Sequence, residues 1–426
     1  MNAALPDTSA SQGLPRKANW RSIAQLGVSL LALTFLWGQA IGTLTLAFVP
    51  ALSTVVRSSS RSTLLAIAFA SFVLGLLVLL SAVYAFRDLS GRDGALPWHP
   101  FLARVQQRAI WLAPLVFAAA FGLGWWAREN PQGKFLAFPW LHFLAAAMPV
   151  WWWVSISARQ TAVHQSPQRR WGLVTAGLSF GPIISILAEV LLLMAGLVML
   201  MAVVAQNEQA AATLESLGRR FAFAAGDAHT AQRMVQGLLQ TYPWLGLAGL
   251  AFISIFVPLI EELGKSLGVW ALIGQELTYP EGFLAGAISG GMFALFEGLY
   301  NAGATRSQWG SVMLGRVGTS LMHVTASGLM GAALADAWRN RRYVRLGATY
   351  LLAVGLHGTW NAAVIGLTVG AQLWHSPWLT AASSAAIGAV LAFCLGVLLR
   401  TRGTPTAPVV ELAVAFPETE NLTHEE

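Results

Sequence analysis

Charge is what this chain has least of. Charged residues fill 11% of its 426 positions, where a soluble domain carries about 25%, and that deficit excludes an ordinary water-soluble globule. Cysteine is almost missing as well. Cys394, the only one, excludes an intramolecular disulfide and a cysteine-based metal cage. The sequence has no Gly-rich phosphate loop, no dinucleotide fingerprint, no haem-attachment motif and no His-Glu-x-x-His helix of the soluble zinc-protease type. Nothing therefore points to nucleotide-driven chemistry.

Hydrophobic residues are abundant, at 56%, and the mean hydropathy is +0.59. A spanning helix needs about 20 mostly apolar residues. Ten stretches meet that length, approximately 24–50, 63–85, 109–127, 135–157, 173–204, 244–273, 282–302, 310–334, 346–368 and 378–399. The expected fold is all-α, a polytopic transmembrane helix bundle of about ten spans. The first apolar run is too long for the core of a signal peptide and reads as an uncleaved span. Pro182 in the overlong fifth stretch predicts a kink there.

The net charge of +7 does not describe a nucleic-acid-binding face, because the basic residues lie in short connections between apolar runs. Of the 26 Lys and Arg, the termini and even-numbered connections hold 16 and the opposite connections 8, with Lys265 and Arg316 inside spans. By the positive-inside rule this places both termini in the cytoplasm of a multi-pass plasma-membrane protein. The organisation expected is a cytoplasmic tail (1–23), a five-span N-terminal unit (24–205) and an extracytoplasmic polar segment of surface helices (206–243). A four-span core (244–368), a last span (369–402) and a disordered acidic tail (403–426) follow.

Against this apolar background a few polar residues stand out. The sixth span reads Pro258-Leu-Ile-Glu261-Glu262-Leu-Gly-Lys265. An ionised side chain at the centre of a bilayer costs roughly 2.5–3.5 kcal/mol on insertion scales, and one lysine cannot neutralise two carboxylates. On one helix Glu261 shares a face with Lys265, while Glu262 points about 100° away around the axis. Glu262 is accordingly expected to face away from a reacting water and to bond Lys265 or a neighbouring helix. The next three spans each carry a polar or aromatic pair four residues apart: Phe293/Glu297, His323/Ser327 and His357/Asn361. Gly282, Gly286, Gly290 and Ala294 form a small-residue stripe ahead of Glu297 that allows close helix approach. Glu189 and His142 stand alone in their spans and read as structural. Arg316, near the start of the eighth span, is placed to snorkel to the interface, and Thr319 and Ser327 read as packing.

The series Glu261-Glu262-x-x-Lys265, Phe293-x-x-x-Glu297, His323 and His357-x-x-x-Asn361 on successive apolar helices resembles the PrsW-type intramembrane proteases. These are related in turn to CAAX-type prenyl endopeptidases. The resemblance covers about residues 245–365, and the first five spans show no such signature. It implies peptide-bond hydrolysis in or next to the bilayer, in a membrane-anchored protein of the anti-sigma-regulator type. Carried over by position, Glu261 is the general base that activates water. His357 and Asn361 stabilise the oxyanion, and Glu297, with His323, is the second partner of the water. Glu262 is counted with them in the catalytic set, and Lys265 and Phe293 support it. A metal-free glutamate mechanism is favoured, with no cofactor. The alternative is a zinc-dependent protease whose ligands would be Glu261, Glu297, His323 and His357. A proton-coupled carrier or a non-catalytic scaffold would also use buried polar residues, but four consecutive spans concentrate them in one place, which favours a single localised site.

Overall fold

The computed structural model describes residues 19–49, 61–92, 96, 99–130, 132–161, 163, 165–204, 228–304, 308–372 and 374–401, with isolated positions between 206 and 219. Residues 1–18 of the tail expected at 1–23 and the tail expected at 403–426 lie outside the described residues, as does most of 206–227; residues 20–23 belong to α1. Among the described residues ten helices are long and apolar enough to cross a membrane. They are α1 (Trp20–Phe48), α2 (Arg61–Leu89), α3 (His99–Glu129), α4 (Phe138–Thr161), α7 (Tyr279–Ala304), α8 (Trp309–Asn340), α9 (Tyr343–Gln372) and α10 (Pro377–Arg400), with two composite helices between α4 and α7. The composite helix α5 joins Pro167–Thr175 to Gly181–Val204 through a π-helical turn, Ala176–Phe180. The second, α6, joins Pro243–Ala251 to Val257–Trp270 through another, Phe252–Phe256. No strand occurs among the described residues. The all-α polytopic bundle is therefore as the sequence indicates, with each helix bound within about six residues of its expected position except the start of α3, which lies ten residues earlier. The segment ahead of α6 includes a separate helix, Ala228–Thr241.

Local chemistry sets the helix starts. Asn19 accepts the Arg21 N–H at 3.2 Å ahead of α1. Ser166 and Ser376 accept the N–H of Arg169 and Leu379 at 3.3 Å, each just before a proline at the first helical position. That proline has no N–H to leave unsatisfied. In an apolar surround every other backbone group must find its partner inside the protein.

Helices α7 and α8 lie at the centre and are the most enclosed of the ten. The small-residue stripe makes this possible. A Cβ added at Gly282 or Gly286 would overlap the backbone carbonyl of Gly331 or Ser327, and one at Gly290 would overlap the Ser327 side chain. Buried His142 of α4 ties this pair down from one side. Its Nδ1 accepts from Trp309 Nε1 at 3.1 Å, which leaves Nε2 to donate to the Leu299 carbonyl at 3.2 Å. Helices α5 and α6 sit at the periphery and turn most of their surface outward.

Candidate active site

Proline shapes the helix that carries the two adjacent glutamates. In the π-helical turn the Val257 N–H bonds the Phe252 carbonyl five residues back. The next donor in that register would serve Ile253, but residue 258 is proline and has none. Asn361 of α9 supplies the missing donor, its Nδ2 lying 3.0 Å from the Ile253 carbonyl oxygen. One turn back on α9, Gly358 lies so close to Ser254 that a Cβ would overlap its carbonyl. Tyr350 of the same helix donates to the Leu259 carbonyl at 2.7 Å. Three contacts thus fix the register of α9 against α6, and they hold His357 facing the glutamate pair.

Glu262 lies at the centre of the resulting cluster and is fully buried. Its Oε1 is 2.6 Å from Lys265 Nζ and 2.9 Å from His357 Nδ1, while Nζ is also 3.2 Å from that same ring nitrogen. Lys265 reaches Glu261 too, at 3.2 Å from Oε2, and its ammonium sits 4.9 Å from the centroid of the Phe293 ring. Glu261 Oε2 lies 3.7 Å from His357 Nε2. The two glutamates therefore contact the two different nitrogens of one imidazole.

The facing wall comes from α7 and α8. Glu297 Oε2 is 3.1 Å from His323 Nε2, and its Oε1 is 3.1 Å from the guanidinium of Arg316. The rings of His323 and His357 meet edge to face, with centroids 4.9 Å apart. Glu297 is 24% exposed and Glu261 12%, whereas Glu262 and Lys265 are closed off. The accessible side of the cluster is thus the side of Glu261 and Glu297.

The structure therefore brings together Glu261, Glu262, Lys265, Phe293, Glu297, His323 and His357. Asn361 belongs to the frame: its amide is engaged by the Ile253 carbonyl. Glu262 does bond Lys265, as its position on the helix suggests, but it also reaches inward to His357 and so stands inside the cluster. Two residues outside the expected set meet the cluster. Arg316 lies two turns into α8, which begins at Trp309, and pairs with Glu297. Glu189 is not isolated, since its carboxylate is in electrostatic reach of Lys265, Glu261 and Glu297. The signal available for both was three-dimensional only.

A family model described as PrsW family intramembrane metalloprotease matches residues 170–391. That is more than half of the chain. The chain belongs to the PrsW family. It is accordingly an intramembrane protease, a hydrolase of peptide bonds, and a multi-pass membrane protein that acts on membrane-embedded protein. The match begins at the start of α5 and runs into α10, well beyond the 245–365 stretch whose motifs carry the resemblance, so α5 with Glu189 is part of the family unit. Searches of curated proteins and of solved structures return no match.

The family description implies a metal, and the donor set fits one. Ligand atoms of Glu262, His323 and His357 lie within 4.8 Å of one another, all buried. Oε2 of Glu262 and Nδ1 of His323 are enclosed without hydrogen-bond partners. Three N and O donors with a water are what a catalytic zinc takes. The three that gather differ from the set pointed to by sequence, in that Glu262 stands where Glu261 and Glu297 were expected.

Proposed function

We propose that the chain is an endopeptidase that cleaves a membrane-anchored protein within or beside the bilayer, with Glu261 as the general base. The observation that carries this reading is the convergence of three glutamates and two histidines from α6, α7, α8 and α9 in one enclosed cluster. Glu261 is the base because it is the carboxylate of the adjacent pair that remains partly accessible. It takes a proton from the attacking water while the new C–O bond forms at the scissile carbonyl. That proton then passes to the leaving amine nitrogen as the C–N bond breaks. The Lys265 ammonium lies 3.2 Å from its Oε2.

Glu262 accepts from Lys265 and lies 2.9 Å from His357 Nδ1, so it holds the ring against the glutamate pair. Glu297 orients His323 on the facing wall, and Arg316 compensates its charge. Asn361 acts through the π-helical turn, by keeping α6 and its glutamates in register with His357. A zinc ion held by Glu262, His323 and His357 would supply Lewis-acid polarisation of the scissile carbonyl and a more acidic water.

The substrate class is a single-pass regulator of the anti-sigma type, on the strength of the resemblance. The charge bias of the connections supports cytoplasmic termini, with the plasma membrane as location. Comparative proteomics of membrane proteins tests this function directly. Cells carrying wild-type protein should contain shortened forms of at least one anchored protein that cells carrying Glu261→Gln lack. Identical membrane proteomes in the two strains would count against it.

A further inference from the structure

The outer helix α5 carries Gly181, Ser185 and Glu189 at four-residue spacing, so all three share one face. The first two meet α6 at Gly264. A Cβ on Gly181 would come within 2.9 Å of the Gly264 carbonyl, and one on Gly264 would overlap Ser185 Oγ. Consecutive spans run in opposite directions, so one further turn along α5 corresponds to one turn back along α6. Glu189 is thereby level with the turn of Glu261. Its neighbours Leu187, Val190 and Leu191 are about half exposed or more, on the outward face, yet Oε1 of Glu189 is enclosed and has no hydrogen-bond partner. The carboxylate is in electrostatic reach of Lys265, Glu261 and Glu297.

Counting Glu189 changes the charge balance of the cluster. Glu189, Glu261, Glu262 and Glu297 oppose only Lys265 and Arg316, an excess of two negative charges when the histidines are neutral. Carboxylates that outnumber the cations around them are costly where access to water is restricted, and two protons or one divalent cation would offset the excess. The enclosed, partnerless Oε2 of Glu262 and Nδ1 of His323, beside three ligand atoms within 4.8 Å of each other, favour the cation. We propose that Glu189 is a fourth carboxylate of the site and governs its hold on a divalent metal ion. This rests on the metal reading of the cluster and adds a helix to it.

The test uses purified full-length protein in detergent, titrated with zinc against a competing chelator, with bound metal counted by mass spectrometry. Glu189→Gln should weaken zinc binding by about 10- to 100-fold, the range typical when a supporting partner of metal ligands is lost. Glu189→Asp, which keeps the charge, should stay within a few fold of wild type, as should Glu208→Gln at an exposed position. Equal affinity of wild type and Glu189→Gln would overturn the proposal, and so would equal losses in the Gln and Asp variants. Cleavage of a membrane substrate by the same preparations separates this from the protease reading. Wild-type protein that cleaves but binds no zinc overturns the metal role of Glu189 alone. Protein that binds zinc in a Glu189-dependent way but cleaves nothing counts only against the proposed catalytic cycle.

Discussion

Lys265 is a fully buried ammonium whose acceptors are two glutamates on its own helix and one ring nitrogen from α9. Its place was readable from spacing, since residues three and four apart on a helix meet. Arg316 was not, because depth counting along one span says nothing about which neighbour lies opposite. The arginine reaches Glu297 past Gly298, where a Cβ would sit 3.4 Å from its Cδ. Removing one partner of a buried pair leaves the other charge uncompensated. Arg316→Ala is therefore expected to lower the cleavage rate at least 10-fold and to lower the melting temperature in detergent. Arg316→Lys, which keeps the charge but not the planar fork, should fall between. An alanine variant with wild-type rate and melting temperature would remove Glu297 from the proposed machinery. Glu189 escaped sequence reasoning for a similar reason: on its own helix it has no charged neighbour, and the charged groups nearest the site belong to α6 and α7.

At the scale of elements, the ten apolar runs were legible because each is long enough to span on its own. What the sequence concealed was how the composite helices bend. Pro182 announces an irregularity in α5 and Pro258 one in α6, but the π-helical register follows only from the helices packed beside them. Asn361 shows the consequence. Its spacing from His357 suggests a catalytic pair, whereas its amide satisfies a carbonyl that Pro258 leaves without a donor. Asn361→Ala should cost about 1–3 kcal/mol of stability for that unsatisfied carbonyl, together with loss of activity. Loss of activity with unchanged stability would return Asn361 to direct chemistry. The glycine stripe gives a second test. Gly286→Ala places a methyl group against the Ser327 carbonyl and should destabilise the protein by about 1–3 kcal/mol through overpacking. Gly347→Ala, with open space around it, should be neutral or slightly stabilising. Equal melting temperatures for both variants would contradict the close α7–α8 contact.

For the whole molecule, the arrangement is a central pair, α7 and α8, with the glutamate helix α6 and the histidine helix α9 packed against it. The N-terminal helices brace this core from one side through His142 and Trp309. Orientation in the bilayer is proposed from charge alone and has a direct check. In a Cys394→Ala background, Tyr343→Cys at the exposed start of α9 should react with a membrane-impermeant maleimide only after the cells are opened. Labelling from outside sealed cells would invert the topology. The claim on which everything else depends is that the enclosed glutamate pair performs hydrolysis. It is tested most directly by the single-turnover cleavage rate of a single-pass substrate in proteoliposomes, wild type against Glu261→Gln. The substitution keeps size and hydrogen bonding but removes the base, and the rate is predicted to fall by about 10²–10⁴-fold with insertion and melting temperature unchanged. A Glu261→Gln protein that cleaves at the wild-type rate would contradict the account.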